Sequence, residues 1–201
     1  MSTKKKLSYN EKIFKPKSFR RFLHLARFKW INKQLKKHQI KYQKVIELGC
    51  YDGRVIEYLP NKPQIYKGFD ANWGKGLDLA KKKFKGNKIY NFYEAQNLND
   101  IKLEKNEIFE LAFSLETLEH IPEKFLCQYL EKISRHLNGY FLITVPNEKG
   151  PFFVIKRLLR PKDDRYKYSF KDYINLLFGK TNFIERDNHK GFDYDHLIYD
   201  L

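Results

Sequence analysis

Between residues 45 and 145 the apolar positions alternate between short continuous runs and helically spaced ones. Val45-Ile46-Glu47-Leu48, Ile65 to Phe69, Ile89 to Tyr93, Ile108 to Leu115 and Tyr140 to Val145 are short, apolar and rich in β-formers. Each is predicted to be a strand. Between them, Arg54 to Leu59 reads as a helix ended near Pro60. Leu77, Leu79, Ala80 and Phe84 mark a second helix, stopping at Gly86. Pro122 opens a third through Phe125, Leu126, Tyr129, Leu130, Ile133 and Leu137, which Asn138-Gly139 is expected to break. Strands separated by helical patterns form βαβ units and a parallel sheet. The expected fold class is α/β, doubly wound.

Outside that stretch the pattern is helical. From Ser18, a plausible N-cap, Phe19, Phe22, Leu23, Ala26, Trp30 and Ile31 recur at spacings of three and four. Arg20, Arg21, Arg27, Lys29 and Lys33 occupy much of the remainder, which predicts an amphipathic helix packed on its own domain, with a place on a membrane surface as the alternative. Residues 1–17 read as a loose basic arm. Downstream, Phe152 to Leu159 and Phe170 to Leu177 read as helices, and Asn182 to Glu185 is too short for a strand. The expected organisation is one domain over 18–201, with a core at 45–147 and a substrate cover at 148–201.

Charge changes this picture only at the N-terminus. The 201 residues carry 40 Lys and Arg against 24 Asp and Glu, a net of +16. Residues 1–44 hold 15 of those basic side chains and one acid, Glu11, whereas the other 157 residues are nearly balanced at +2. Such an arm suits phosphates of RNA, an anionic membrane surface or an acidic glycan, although a solvated lysine-rich face gives the same composition. Two cysteines, Cys50 and Cys127, exclude a disulfide framework and a four-cysteine zinc site. No apolar run approaches the roughly 20 residues of a membrane-spanning helix. The lysine-rich start lacks a leader's apolar segment, so a cytoplasmic protein is expected.

The candidate chemistry lies at the predicted strand ends, where open parallel sheets bind ligands. The first strand runs into Glu47-Leu48-Gly49-Cys50-Tyr51-Asp52-Gly53-Arg54. A dinucleotide loop would require glycine at 49, 51 and 54, and Tyr51 and Arg54 oppose it. An acid two residues before the first glycine suits a cofactor carrying an amino group instead. The second strand ends in Gly68-Phe69-Asp70-Ala71-Asn72, where the Asp70 carboxylate can take both hydroxyls of a ribose or cap the next helix. A third tip, Glu94-Ala95-Gln96-Asn97-Leu98, offers polar groups and backbone amides.

With these motifs, and with the fourth-strand exit Phe113-Ser114-Leu115-Glu116-Thr117-Leu118-Glu119-His120-Ile121-Pro122 and the fifth strand from Gly139 to Asn147, the chain resembles the class I S-adenosylmethionine-dependent methyltransferases. The resemblance implies a Rossmann-like sheet of order 3-2-1-4-5 and S-adenosylmethionine as cofactor. It implies that Gly49 and Gly53 flank the methionine part and that Glu47 sits near its amino group, directly or through water. Asp70 would bind the ribose, Ala71 would touch the adenine, and Glu94 and the Ala95 amide would face its amino edge. Ser114 would lie beneath the sulfonium. Tyr51, where many relatives have glycine, shapes or narrows the pocket, and Glu94 stands where Asp is common. The sulfonium is an activated donor, so alignment is the main task and a base, here His120, is needed only if the acceptor loses a proton.

Glu116, Glu119 and His120 form an E-x-x-E-H pattern whose positions share one face of a helical turn. Similar spacing binds a divalent ion in ubiquinone-biosynthesis O-methyltransferases and small-RNA 2′-O-methyltransferases. The RNA enzymes add a late histidine, for which His189 is the counterpart here. The expected set is Glu116, Glu119, His120 and His189 around Mg²⁺ or Mn²⁺; the alternative is that Glu119 and His120 only order the loop before Pro122. The family's usual closing pair of strands has no counterpart after Val145, so five strands are expected. The aromatic, basic stretch from Lys149 to Tyr168 suits a small-molecule or glycan acceptor, with RNA next. A non-catalytic methyltransferase-like binding module is the reading from another class.

Overall fold

The computed structural model describes residues 19–146, 149–158 and 168–185. The chain divides into two compact units, one of residues 1–115 and 132–143 and one of 116–131 and 144–201. The first unit carries the sheet. Its strands are β1 (Lys44–Leu48), β2 (Ile65–Asp70), β3 (Tyr90–Glu94), β4 (Phe109–Leu115) and β5 (Leu137–Thr144), in the expected order β3-β2-β1-β4-β5. β1 pairs in parallel with β2 and β4, and β2 with β3. Among the described residues there is no sixth strand.

Central parallel strands are covered on both faces and must be apolar throughout. Val45 to Leu48 are accordingly all buried, as are residues 111 to 115. Val45, Tyr66, Leu111 and Phe113 share one core cluster with Ile31 and Leu35 of α1 (Phe19–Lys37) and with Leu77 and Ala80 of α2 (Gly76–Lys83). The register brings the carboxyl ends of the strands to one edge. Leu48 stands opposite Phe69 on one side and Ser114 on the other, and Asp70 stands opposite Glu94. The glycine loop after β1 therefore opens beside the tips of β2 and β4.

Three local expectations change. The buried face of α1 is Phe28, Ile31 and Leu35, while Ala26 and Trp30 face solvent. The helix docks on the turn after the glycine loop, where Phe28 stacks on Tyr58 at 5.3 Å and Asn32 donates to the Tyr58 carbonyl at 2.6 Å. Ile31 is buried as expected, and the contact with Tyr58 brings in Phe28 beside it. Ser18 and the arm at 1–17 lie outside the described residues.

Second, Arg54–Tyr58 is a 3₁₀ helix, not an α-helix. Leu59 precedes Pro60 and is extended (φ −67°, ψ 126°), as the residue before proline must be, which leaves no room for a longer turn. Third, Asn138-Gly139 does not break the chain but lies inside β5. A Cβ at Gly139 would stand 2.0 Å from the Glu110 carbonyl oxygen, so glycine marks a close strand-to-strand approach there.

In the second unit, α4 (Pro151–Leu158) and α5 (Phe170–Leu177) pack around Phe153, Leu176 and Ile184. Ser169 starts α5 with a capping box: its hydroxyl accepts from Asp172 N at 3.1 Å and Asp172 returns the bond to Ser169 N. Thr181–Phe183 is a 3₁₀ turn. α3 (Glu123–Ser134) begins after Pro122, as expected. Among the described residues no helix is long and apolar enough to cross a membrane.

Candidate functional site

The loop after β1 is held from both sides. Gly49 N and Cys50 N both donate to the Phe69 carbonyl at the end of β2, at 2.7 and 3.1 Å, and Gly53 N closes a turn onto the Cys50 carbonyl at 2.8 Å. Gly49, Tyr51 and Gly53 all have positive φ, 71°, 45° and 66°. Gly53 has a second reason to be glycine: a Cβ there would lie 3.0 Å from the Phe92 ring and 3.1 Å from that of Phe84. The loop backbone thus lies flat on an aromatic floor.

Tyr51 is a bulky residue in the left-handed region, a strained conformation that needs outside support. The support is visible. Its amide donates to Asp70 Oδ2 at 2.9 Å, and its ring rests on the segment leading into α2. A Cβ on Gly76 would come within 2.3 Å of that ring and one on Gly74 within 3.0 Å, while the hydroxyl reaches the Gly74 carbonyl at 3.3 Å. The two glycines make the space that Tyr51 fills.

Asp70 is the fixed point of the site. Its Oδ2 accepts from Tyr51 N and its Oδ1 from Asn72 N at 2.7 Å, so both oxygens are oriented by backbone. A carboxylate has about four lone-pair sites. Two remain, one on each oxygen, a geometry suited to a diol. Burial raises its pKa somewhat, the two amides oppose that rise, and the nearby Glu94 charge adds to it.

Glu47 is buried and turned toward β2, where the Tyr66 hydroxyl donates to its Oε2. Burial pushes its carboxyl well above the ordinary range, the Tyr66 bond and the charge of Arg27 pulling the other way. Cys50 is buried too, and the loss of water together with the neighbouring Glu47 and Asp70 charges drives its thiol far up. It stays protonated and packs; a thiolate nucleophile does not form. Ser114, at the tip of β4, is completely buried, and its hydroxyl has no hydrogen-bond partner among the described residues.

At the tip of β3 the amides are already engaged. Ala95 N donates to the Asp70 carbonyl at 3.0 Å, and Gln96 N and Asn97 N both donate to Asp100 Oδ2. What this tip presents outward is the exposed Glu94 carboxylate, bonded at 3.0 Å to the Gln96 side chain, and the half-exposed Ala95. Ala71 is half-buried beside Asp70. The first unit thus gathers Gly49, Gly53, Asp70, Ala71, Glu94 and Ser114 at one sheet edge.

The E-x-x-E-H residues lie in the second unit and do not gather. Among the described residues no group of three or more His, Cys, Asp or Glu side chains could hold a metal ion. The expectation assumed one helical face, but Glu116 precedes the turn with φ 55°, and only Leu118–His120 is helical, as a 3₁₀ turn. Glu119 is fully buried whereas Glu116 and His120 are half-exposed. These three residues do not fit a shared cation, and His189 lies outside the described residues. Burial lowers the His120 pKa, leaving a neutral imidazole at neutral pH.

The family profile of a methyltransferase domain matches residues 17–186, most of the chain. The chain belongs to that family. Comparison with curated proteins returned no match. Among solved structures, the methyltransferase domain is similar to an S-adenosylmethionine-dependent methyltransferase from Clostridium acetobutylicum, at 19% identity and a TM-score of 0.52 over 80% of this chain and 62% of that one. It is also similar to the plantazolicin methyltransferase BpumL in complex with a monoazolic desmethylPZN analog and S-adenosylhomocysteine, at 12% identity and a TM-score of 0.54 over 89% and 61%. A small RNA methyltransferase matches at 19% identity and a TM-score of 0.56, over 85% and 23%. At such identities the likeness is one of fold. The chain spans about three-fifths of the length of the first two.

Within the methyltransferase domain, sequence reasoning missed the supports behind the site. Tyr66 holds Glu47, Arg27 bears on its charge, and Phe84 and Phe92 floor the Gly53 turn. Tyr66 had a signal: Glu47 stands opposite Gly68, which has no side chain, and Tyr66 is the next residue on that face of β2, its ring together with Cys50 taking the space at Gly68. Arg27 had none, because its place depends on how α1 is rotated.

Proposed function

We propose that this chain is an S-adenosylmethionine-dependent methyltransferase that methylates an oxygen of a small molecule or glycan. One observation carries the reading: the Asp70 carboxylate, aimed by two backbone amides at the sheet edge beside the Gly49–Gly53 loop. Family membership supports it, as does the fit of the site residues. The loop lets a ligand approach backbone without side chains between, and the orphaned Ser114 hydroxyl is a buried polar group awaiting a partner.

In this reading Gly49 and Gly53 flank the amino-acid end of the cofactor, Asp70 accepts from its two ribose hydroxyls, and Ala71, Ala95 and Glu94 border its base. Glu47, held by Tyr66, receives the amino group directly or through water. When bound, the cofactor supplies a methyl group on a sulfonium, already activated for transfer. The remaining work of the chain is to orient, exclude water and move one proton. His120 is the proposed base and would accept the acceptor hydroxyl's proton where the acceptor must lose one.

Calorimetric titration with S-adenosylhomocysteine tests the first half. Wild type should bind in the micromolar range, and Asp70→Ala should lose about 100-fold or more, since two hydrogen bonds to a charged group are removed. Failure of a folded wild type to bind would leave a non-catalytic module in its place. Turnover of an acceptor by His120→Gln, with S-adenosylhomocysteine affinity unchanged and kcat down about 100-fold or more, tests the second.

A further inference from the structure

The two helices of the second unit are apolar on the wrong side as well as the right one. α4 and α5 turn Phe153 and Leu176 inward onto Ile184. On α4, Phe152, Ile155 and Leu158 lie at spacings of three, away from Phe153, and all are exposed, Phe152 by 78%. On α5 and its C-cap, Phe170, Ile174 and Phe178 recur every four residues, and the two phenylalanines are 82% and 70% exposed. Scattered surface apolar groups are ordinary, but periodic stripes on neighbouring helices mark an interaction surface.

Basic side chains outnumber acidic ones in the segments that carry these stripes, with Asp172 engaged in the capping box of α5. Lys171 and Lys180 are exposed, and Lys149 reaches within 3.9 Å of the Cβ position of Gly179, placing it at the same end of α5 as Lys180 and Phe178. Over residues 149–185 the chain has nine Lys and Arg against four Asp and Glu. A second copy would bring the same positive surface to the contact, and like charges would face one another. RNA supplies phosphates but no apolar layer to receive aliphatic side chains. A bilayer with anionic headgroups supplies both.

We propose that α4 and α5 form a docking surface for anionic phospholipid, the exposed phenylalanines and aliphatic residues entering the boundary between headgroups and acyl chains and the lysines pairing with the phosphates. The proposal rests on the second unit alone and stands apart from the cofactor reading.

The test is flotation of the full chain with vesicles of phosphatidylcholine, alone or with about one-third phosphatidylglycerol. Wild type should float with the anionic vesicles and not with the neutral ones. The triple variant Phe152→Ser, Phe170→Ser, Phe178→Ser alters only exposed side chains, and unchanged far-ultraviolet circular dichroism and melting temperature would show that it folds. Its vesicle affinity should fall by about tenfold or more. Lys171→Glu with Lys180→Glu should weaken binding at low salt and matter little at high salt. Three results overturn the proposal. Wild type does not bind anionic vesicles; or binding survives the serine variant and vanishes on replacing Lys4, Lys5 and Lys6, which assigns it to the N-terminal segment; or light scattering finds a dimer that the serine variant dissociates, which assigns the face to a second copy.

Discussion

Asp70 and Glu47 are both carboxylates at the ends of buried strands, and burial raises the pKa of each, further for Glu47. At Asp70 two backbone amide donors oppose the rise. Glu47 is bonded to a phenol inside the sheet, and burial raises its pKa well above the ordinary value near 4.5. From about pH 4.5 up to that raised value, the folded state binds more protons at Glu47 than the unfolded state does. The stability this group contributes is therefore complete below about pH 4.5 and is lost as pH rises. Glu47→Gln keeps the shape and removes the titration. Urea unfolding at about pH 5 and pH 8 should show the variant gaining on wild type at the higher pH; equal or opposite change would mean that Glu47 is ionised in the fold. Tyr51 makes a second residue-scale prediction. Gly76→Ala forces a methyl into its ring, which should cost about 1–3 kcal/mol. In a Tyr51→Gly background the same change should cost little, giving a coupling energy of ~1–2 kcal/mol by double-mutant cycle.

At the scale of elements, the sheet was legible because parallel strands advertise themselves by unbroken apolar runs and their crossovers by helical spacing. The tip residues Gly49, Asp70, Glu94 and Ser114 were legible for the same reason: once the strands are placed, register alone aligns their ends. What was not legible depends on contacts between elements. The stripe Phe19, Phe22, Leu23, Ala26, Trp30 and Ile31 placed Ile31 in the core, but gave no sign that Ala26 and Trp30 would face solvent while Phe28 packs onto Tyr58. Asn138-Gly139 reads as a turn signal in one dimension, and only the neighbouring Glu110 carbonyl explains a glycine in β5. The E-x-x-E-H pattern failed as a ligand set because it assumed an α-helix where the chain makes a left-handed step and a single 3₁₀ turn. The β5 reading is directly testable. Gly139→Ala sets a carbon 2.0 Å from a carbonyl oxygen, in a strand that cannot move alone, and should destabilise by about 3 kcal/mol or more. If position 139 were a mere turn, alanine there would be nearly neutral.

At the scale of the whole molecule, the chain separates its charge from its proposed cofactor site. Of the net +16, residues 1–44 hold +14 in the sequence, while the strand tips of the proposed site carry Asp70 and Glu94. Two kinds of binding should then answer salt differently. In the proposed site S-adenosylhomocysteine would meet mostly backbone and the Asp70 carboxylate, so its affinity should change little between about 50 and 200 mM salt. Bound at roughly 100 times its Kd it adds about 2.7 kcal/mol of stability, a rise of several degrees in melting temperature for a chain of this size. A polyanion held by the basic segment behaves otherwise. Neutralising about six phosphates releases counterions and loses on the order of a thousandfold in affinity over the same range. Thermal shift by S-adenosylhomocysteine at both salt concentrations, beside binding of a short RNA at both, separates the readings. A salt-independent shift with weak, steeply salt-dependent RNA binding fits a small-molecule or glycan acceptor, for which the positive charge serves docking. RNA that still binds tightly at the higher salt, and more tightly with the cofactor product present, would make RNA the acceptor, because only a substrate seated against the filled site gains from its being filled.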